Sequence, residues 1–338
     1  MTLTRWTNAL QWLGNVCFRR GTESRGRRPA KRFSPRRTEQ RHVRIEALED
    51  RYMLSAVTWV GGNAGNWDVA ANWSGATLPG ASDDVAIDSS SVVTIQSGDN
   101  FSVHSLTTTV GSTLSFTGGS LSIFSNSTLS GGLSISGGGL RASGAAVVVT
   151  EVGATTAQQA SLTADAGATL ALPNLLSLVT NGTFQASGAG SVLDVSALTS
   201  FTQQGGWNIN VNSGGTIKLN GLTSLTSTSG INVSDTGNSK IIAPNLTTLT
   251  GVGINLDGSD ATVADTWTSF KAGSLTVSTG AYSWPSLTNV DRTNLTVNSG
   301  GHLTLPNLTS LVTNSTFQAS GAGSVLDVSA LTSFTQQG

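Results

Sequence analysis

One repeat restricts this chain more than any other feature. An element of the form apolar-x-x-apolar-Thr-Ser-apolar returns along the second half, with its second apolar position at Leu175, Leu198, Leu222, Leu246, Trp267, Leu287, Leu308 and Leu331. The spacings between these anchors are 23, 24, 24, 21, 20, 21 and 23 residues. The stretch Leu172–Gly205 also recurs almost verbatim as Leu305–Gly338, differing only at Leu176/Thr309 and Gly182/Ser315. A unit of about 22 residues is too small to enclose a core alone, so it must stack on its neighbours as a solenoid.

Alignment on the anchor places like with like. Three residues before it stand Leu172, Val195, Leu219, Ala243, Ala264, Trp284, Leu305 and Val328; three after stand Leu178, Phe201, Leu225, Leu249, Phe270, Val290, Leu311 and Phe334. A second alternating stretch follows in each unit, as in Ile209-x-Val211, Ile231-x-Val233 and Leu275-x-Val277. Alternation at period 2 predicts strands with one buried face, and Gly/Asn clusters such as Gly214-Gly215 and Gly237-Asn238 predict the turns between them. The expected fold is all-β: a right-handed parallel β-helix of three short strands per coil, with roughly ten coils from residue 101 to 338 and a rod of about 50 Å. A leucine-rich repeat is the alternative, because Leu-Pro-Asn-Leu-Thr-Ser-Leu forms part of one. Most units lack the L-x-L-x-x-N core and any helix-forming segment.

Composition narrows the classes further. Cys17 is the sole cysteine, which excludes a disulfide scaffold or a thiolate zinc site. No apolar run is long enough for a membrane-spanning helix. Charged residues are only 11%, as a stack requires, since identical charges repeated in every coil would repel whereas Thr and Ser hydroxyls would not. The Thr/Ser pairs after the anchors are expected to form outward hydroxyl ladders.

The charge is also unevenly spread. Residues 1–51 carry 13 of the 18 basic residues and five acids, a net +8, and the remainder is −9. No nucleic-acid-binding fold accompanies the basic run, so residues 1–56 read as a disordered, Arg-rich targeting leader with no nucleic-acid partner. Its end, Ile45-Glu46-Ala47-Leu48-Glu49-Asp50-Arg51-Tyr52-Met53-Leu54-Ser55-Ala56, resembles the LEPR-XLL leader motif of large exported bacterial surface proteins. Asp50 stands where the motif's name has Pro, and Met53-Leu54 where it has two leucines. The resemblance implies export, a break after Ser55-Ala56, and a secreted or cell-surface location.

Residues 57–100 form a Trp-rich opening module, with Trp59, Trp67 and Trp73 among Gly61-Gly62, Gly65, Asn66 and Asn72. The pattern resembles an opening found ahead of repeat regions in bacterial adhesin-like surface proteins. It has two readings. The indoles plug the end of the solenoid, or they form a glycan platform on which pyranose rings stack.

Chemistry is sparse elsewhere. The basic residues past the leader are Arg141, Lys218, Lys240, Lys271 and Arg292, scattered over different coils, and His104 and His302 lie far apart. Neither a lyase base cluster nor a hydrolase carboxylate set assembles from these. Asp257, Asp260 and Asp265 share one coil, and Asp83, Asp84 and Asp88 follow the Trp module; both groups read as solvated turn aspartates rather than calcium ligands. Asp194 and Asp327 read as one outward strand position in two copies. The sequence therefore assigns no catalytic residue, no cofactor and no metal. It points to an exported, non-catalytic structural or adhesin-like stalk whose partners are surface glycans or other cell-envelope proteins. A carbohydrate-binding or polysaccharide-cleaving β-helix is the alternative. The repeat stops mid-coil at Gly338, which suggests a fragment of a longer repeat protein with an end open to end-to-end pairing.

Overall fold

A computed structural model describes residues 55–335 except 89, 180, 203–204, 261–262 and 313. The basic leader, the LEPR-XLL-like stretch up to Leu54, and Cys17 lie outside the described residues.

The described chain is all-β, with parallel sheets stacked as a solenoid of about 11 turns whose coils average about 22 residues. Three faces run along the stack. Face A passes through Ser55–Thr58, Asp83–Ile87, Ser105–Thr108, Ser127–Leu129, Val148–Glu151, Thr169–Ala171, Val192–Asp194, Thr216–Lys218 and Lys240–Ile242, each in parallel register with the next. A further ladder, Ala281–Ser283, His302–Thr304 and Val325–Asp327, takes the same place in later coils. Face B includes Ser177–Val179 and Ser200–Thr202, the strands that carry the apolar residue after the anchor. Face C includes Ala160–Asp165, Gly182–Ser187 and Trp207–Asn212, the second alternating stretch of each unit. In several coils one strand turns the corner from face B to face C without a break, as in Thr113–Ile123 and Ser224–Asp235. Gly138, at φ +94 on one such corner, has no room for a side chain: a Cβ there would lie 2.3 Å from the Gly119 carbonyl oxygen of the coil before.

Register turns the sequence alternation into continuous interior rows. On face A, Val149, Leu170, Leu193, Ile217 and Ile241 lie one above another, all buried. Burying a Leu or Ile side chain contributes about 2 kcal/mol each, and the row extends that gain coil by coil. The anchor element itself is a β-turn. In all eight aligned coils the anchor N–H donates to the carbonyl three residues earlier, at 2.9 to 3.3 Å, as in Leu175 to Leu172 and Leu331 to Val328. The two apolar positions flanking Pro-Asn or Ser-Ala in the sequence are thus the two ends of one turn, both directed inward in most coils.

The Thr residues after the anchors do more than stack. Thr199, Thr247, Thr268, Thr288 and Thr332 each donate their hydroxyl to a backbone carbonyl one coil back, at 3.2 to 3.3 Å. The expected hydroxyl ladder is therefore a ladder from hydroxyl to backbone. Asn174, Asn245 and Asn307 act alike through their amide groups, reaching carbonyls of the preceding coil at 2.7 Å. At the opposite corner Ser191 and Ser239 are wholly buried. Each donates to a carbonyl of its own turn at 2.6 Å and accepts from a glycine N–H one coil back.

The few charges follow the same logic. Arg141–Asp165 and Lys218–Asp194 are ion pairs between adjacent coils at 2.7 and 2.9 Å, so the charges that meet there are opposite in sign, and His104 Nδ1 lies 2.8 Å from Asp84 of the coil before. Asp194 occupies a partly exposed strand position, as its sequence context implied. Burial raises its carboxyl, but the Ser196 hydroxyl and the Lys218 ammonium bring it below the usual range.

Parallel register also extends through the Trp-rich segment. Ser55–Thr58 pairs with Asp83–Ile87 and Ala64–Asn66 with Val92–Ile95. The segment expected to stand ahead of coils beginning at residue 101 is itself coiled into the stack. Its repeat escapes the eye because Trp67 stands in the buried column that later coils fill with Ile95, Phe116, Ile135, Ala157 and Leu178.

Candidate functional site

The three tryptophans are interior residues. Trp59 is 6% exposed, Trp67 0% and Trp73 1%. Trp59 meets Trp73 edge-on at 5.0 Å between ring centres; Trp73 tilts against Trp67 at 4.6 Å, and Trp67 stacks on Phe101 at 5.8 Å. Two indole N–H groups are satisfied by nearby carbonyls, Trp59 by Gly62 at 3.0 Å and Trp73 by Trp67 at 2.8 Å. Gly61 permits this packing: a Cβ there would lie 2.7 Å from both Trp59 and Asn72. The glycan platform at Trp59, Trp67 and Trp73 is corrected accordingly, because stacking on a sugar needs an open ring face and none of the three has one. The rings fill the interior of the first described coil.

The basic residues remain dispersed. A shallow groove at the corner between faces B and C is lined by Gly138, Arg141, Gln159 and Thr163, and its Arg141 is already paired with Asp165. His104 Nδ1 lies 2.8 Å from Asp84. Bonds from His104 and Ser105 hold the Asp84 carboxyl below the usual range. His302 is exposed, far along the stack.

The acids regroup in a way that sequence proximity did not indicate. Asp265 is exposed, whereas Asp260 is only 4% exposed. Its partner in the interior is Asp235, from the coil before, which is 1% exposed. Asp235 stands in an inward row of face C, between Val211 on one side and Leu256 on the other. Neither of its carboxylate oxygens meets a hydrogen-bond donor. Asp260 takes the Ile241 N–H at 3.2 Å, a backbone donor of face A. Asp257, partly exposed, accepts from Gly237 N–H at 2.5 Å and from Ser259 N–H and Oγ at 3.0 and 2.5 Å. Tyr282 Oη, one coil further, accepts from Gly258 N–H at 2.9 Å.

Electrostatics follows from that arrangement. Burial, then the charges of Asp260 and Asp257, pushes the Asp235 carboxyl up to about 7. Asp257 goes the other way: burial raises it, but the Ser259 and Gly237 donors outweigh that and leave it below the usual range. Burial raises the Tyr282 phenol, and the neighbouring aspartates add to the effect. A third buried acid, Glu151, stands on face A next to Leu129 in register. One of its oxygens accepts from the Thr155 hydroxyl, the other has no partner, and burial raises its carboxyl.

Sequence reasoning missed Asp235 and Glu151 because it followed each apolar row only to its clearest members. Continuing Ile231-x-Val233 by two residues lands on Asp235. Among the described residues, no group of three acids, histidines or cysteines has the geometry to hold a metal ion, and no helix is long and apolar enough to cross a membrane. No family model, curated protein or solved structure matches the chain.

Proposed function

We propose that this chain is an exported, non-catalytic spacer at the cell surface, a stalk that holds neighbouring modules away from the envelope. The observation that carries the reading is where the polar groups go. Thr199, Thr247, Thr268, Thr288 and Thr332, with Asn174, Asn245 and Asn307, use side chains on the outer surface to bond the coil before. A surface evolved to recognise a ligand keeps such donors free, whereas a spacer gains from spending them on coil-to-coil cohesion. About 11 coils spaced by roughly 4.8 Å make a stack of about 50 Å. The resemblance of residues 45–56 to the LEPR-XLL leader supports export, and envelope glycans or envelope proteins are the partners that fit the role.

Surface labelling tests it. An antibody against residues 101–300 should label intact cells of the source organism, and brief protease treatment of those cells should remove the signal. Labelling that requires permeabilised cells would sink the reading.

A further inference from the structure

Ionisable groups almost vanish from the coils between His104 and Asp194, where the sequence holds only Arg141, Glu151 and Asp165. Arg141 and Asp165 pair with each other at 2.7 Å. Glu151 has no such counterpart, and it is wholly buried. On face A it continues the inward row of Ile87, Thr108 and Leu129. Thr150 pairs with Ala171, so the next residue in that row is the buried Leu172.

The corner just after Glu151 separates two kinds of coil. Earlier coils turn there through Gly111-Ser112 and Gly131-Gly132, whereas later ones use the anchor turn that starts with Leu172 and Leu175. Three residues on from Glu151 stands Ala154, exposed where Leu175 and Leu198 are wholly buried. This corner therefore has no interior anchor. Instead the Thr155 hydroxyl donates across it to one Glu151 oxygen, and Oε1, the other, meets no donor. Backbone crowds that oxygen: a Cβ on Gly153 would lie 3.0 Å from it and 2.0 Å from the Gly131 carbonyl oxygen of the coil before.

We propose that Glu151 is a proton-operated clasp at the junction between the glycine-cornered and the anchor-turned coils: the protonated carboxyl keeps the corner closed, and its ionisation loosens the coil from Val148 to Gln158. A neutral carboxyl still accepts the Thr155 hydroxyl and carries no charge into the apolar row. An ionised one leaves a full charge between Leu129 and Leu172 with half its acceptors unused, which burial penalises heavily.

Nothing nearby offsets such a charge. The strands Ser127–Leu129, Thr155–Gln158 and Thr169–Ala171 around it contain no ionisable side chain. Gly132–Ser143 brings only Arg141, which is exposed and committed to Asp165 of Ala160–Asp165.

Linkage gives the direction. Burial raises the Glu151 carboxyl above its ordinary 4.5, against the opposing Thr155 hydroxyl and Gly153 backbone. In an opened corner it ionises near that ordinary value. Closure is therefore most favoured below about pH 4.5, weakens as pH rises to the raised value of the closed coil, and is insensitive above that. The clasp tightens in acid, in the opposite sense to a salt-bridged carboxylate.

Hydrogen exchange on the full chain, corrected for the intrinsic effect of pH on exchange chemistry, reads the clasp directly. Amides of residues 127–133 and 148–158 should lose protection between pH 4 and pH 8, while residues 207–217 keep theirs. Glu151→Gln, which stays neutral at every pH, should abolish the loss. Glu151→Leu, which completes the row of Leu129 and Leu172, should abolish it and raise protection at pH 8. A wild-type profile flat with pH overturns the proposal, as does a response that survives in Glu151→Gln. Recovery of protection at pH 8 on adding calcium overturns it in favour of a cation site. Failure of both variants to fold also overturns it, because the closed corner is held to contain a neutral group at 151.

Discussion

The coils at residues 170–222 and those at residues 231–267 share the same anchor turn, yet they fill their interiors differently. In the first, Leu170, Leu172, Leu175, Leu193, Val195 and Leu198 place a branched aliphatic side chain at each position, all wholly buried. In the second, Asp235 and Asp260 take interior places, Ala243 and Ala264 leave space, and Trp267 with Trp284 occupies part of it. A stack tolerates this because each coil contacts only its neighbours, so an irregular coil lowers stability locally without destroying the register beyond it.

The contrast can be broken most sharply by exchanging its chemistry. Leu193→Asp puts a carboxyl into the regular, wholly buried row, and should cost about 4 kcal/mol or more. Urea denaturation followed by circular dichroism would measure it; a loss below about 1 kcal/mol would mean that any coil accepts an acid and that residues 231–267 are not special. A smaller effect comes from repairing the irregular coil. Ala243→Val extends into the small apolar cavity that Ala243 lines with Val233, Ile241 and Trp267 and should raise the denaturation midpoint, a gain of about 1 kcal/mol; a decrease would show the space to be already collapsed around Ala243. The smallest effect is on the outer surface. Thr247→Val keeps the β-branched shape and removes only the hydroxyl bonded to the Thr223 carbonyl, so the expected loss is about 0.5–1 kcal/mol. Exchange of the Thr247 and Thr268 amides, which continue the same coil-to-coil ladder, would locate that loss; no change in either would reduce the Thr row to a passive surface.

The repeat made much of the architecture legible. Anchor, turn and two alternating stretches all fall where the alignment put them, because each is a local periodicity and stacking preserves it. The tryptophans were less legible, since the same Gly- and Asn-rich setting suits a buried cluster or an open platform; only the close approach of Trp59, Trp67 and Trp73 decides between them. The two sites at which the duplicated 34-residue stretch differs show the limit from another side. Leu176 and Thr309 are both exposed, where side-chain identity matters little. At Gly182 a Cβ would meet the Ala160 carbonyl oxygen at 2.5 Å, while Ser315 donates to the Val290 carbonyl at 3.0 Å and accepts from Thr293 N–H at 3.2 Å. Identical strands thus accept different residues because the coil beneath them differs.

What the sequence determined alone was the period, and with it a stack of coils, because a 22-residue unit with alternating apolar residues covers its core only against its neighbours. It also determined the scarcity of charge, since every coil repeats the position of the last. Only the tertiary structure decided which side chains face each other across coils. Asp235 and Asp260 are 25 residues apart in sequence and adjacent in the stack, because one turn of the solenoid returns the chain to almost the same place.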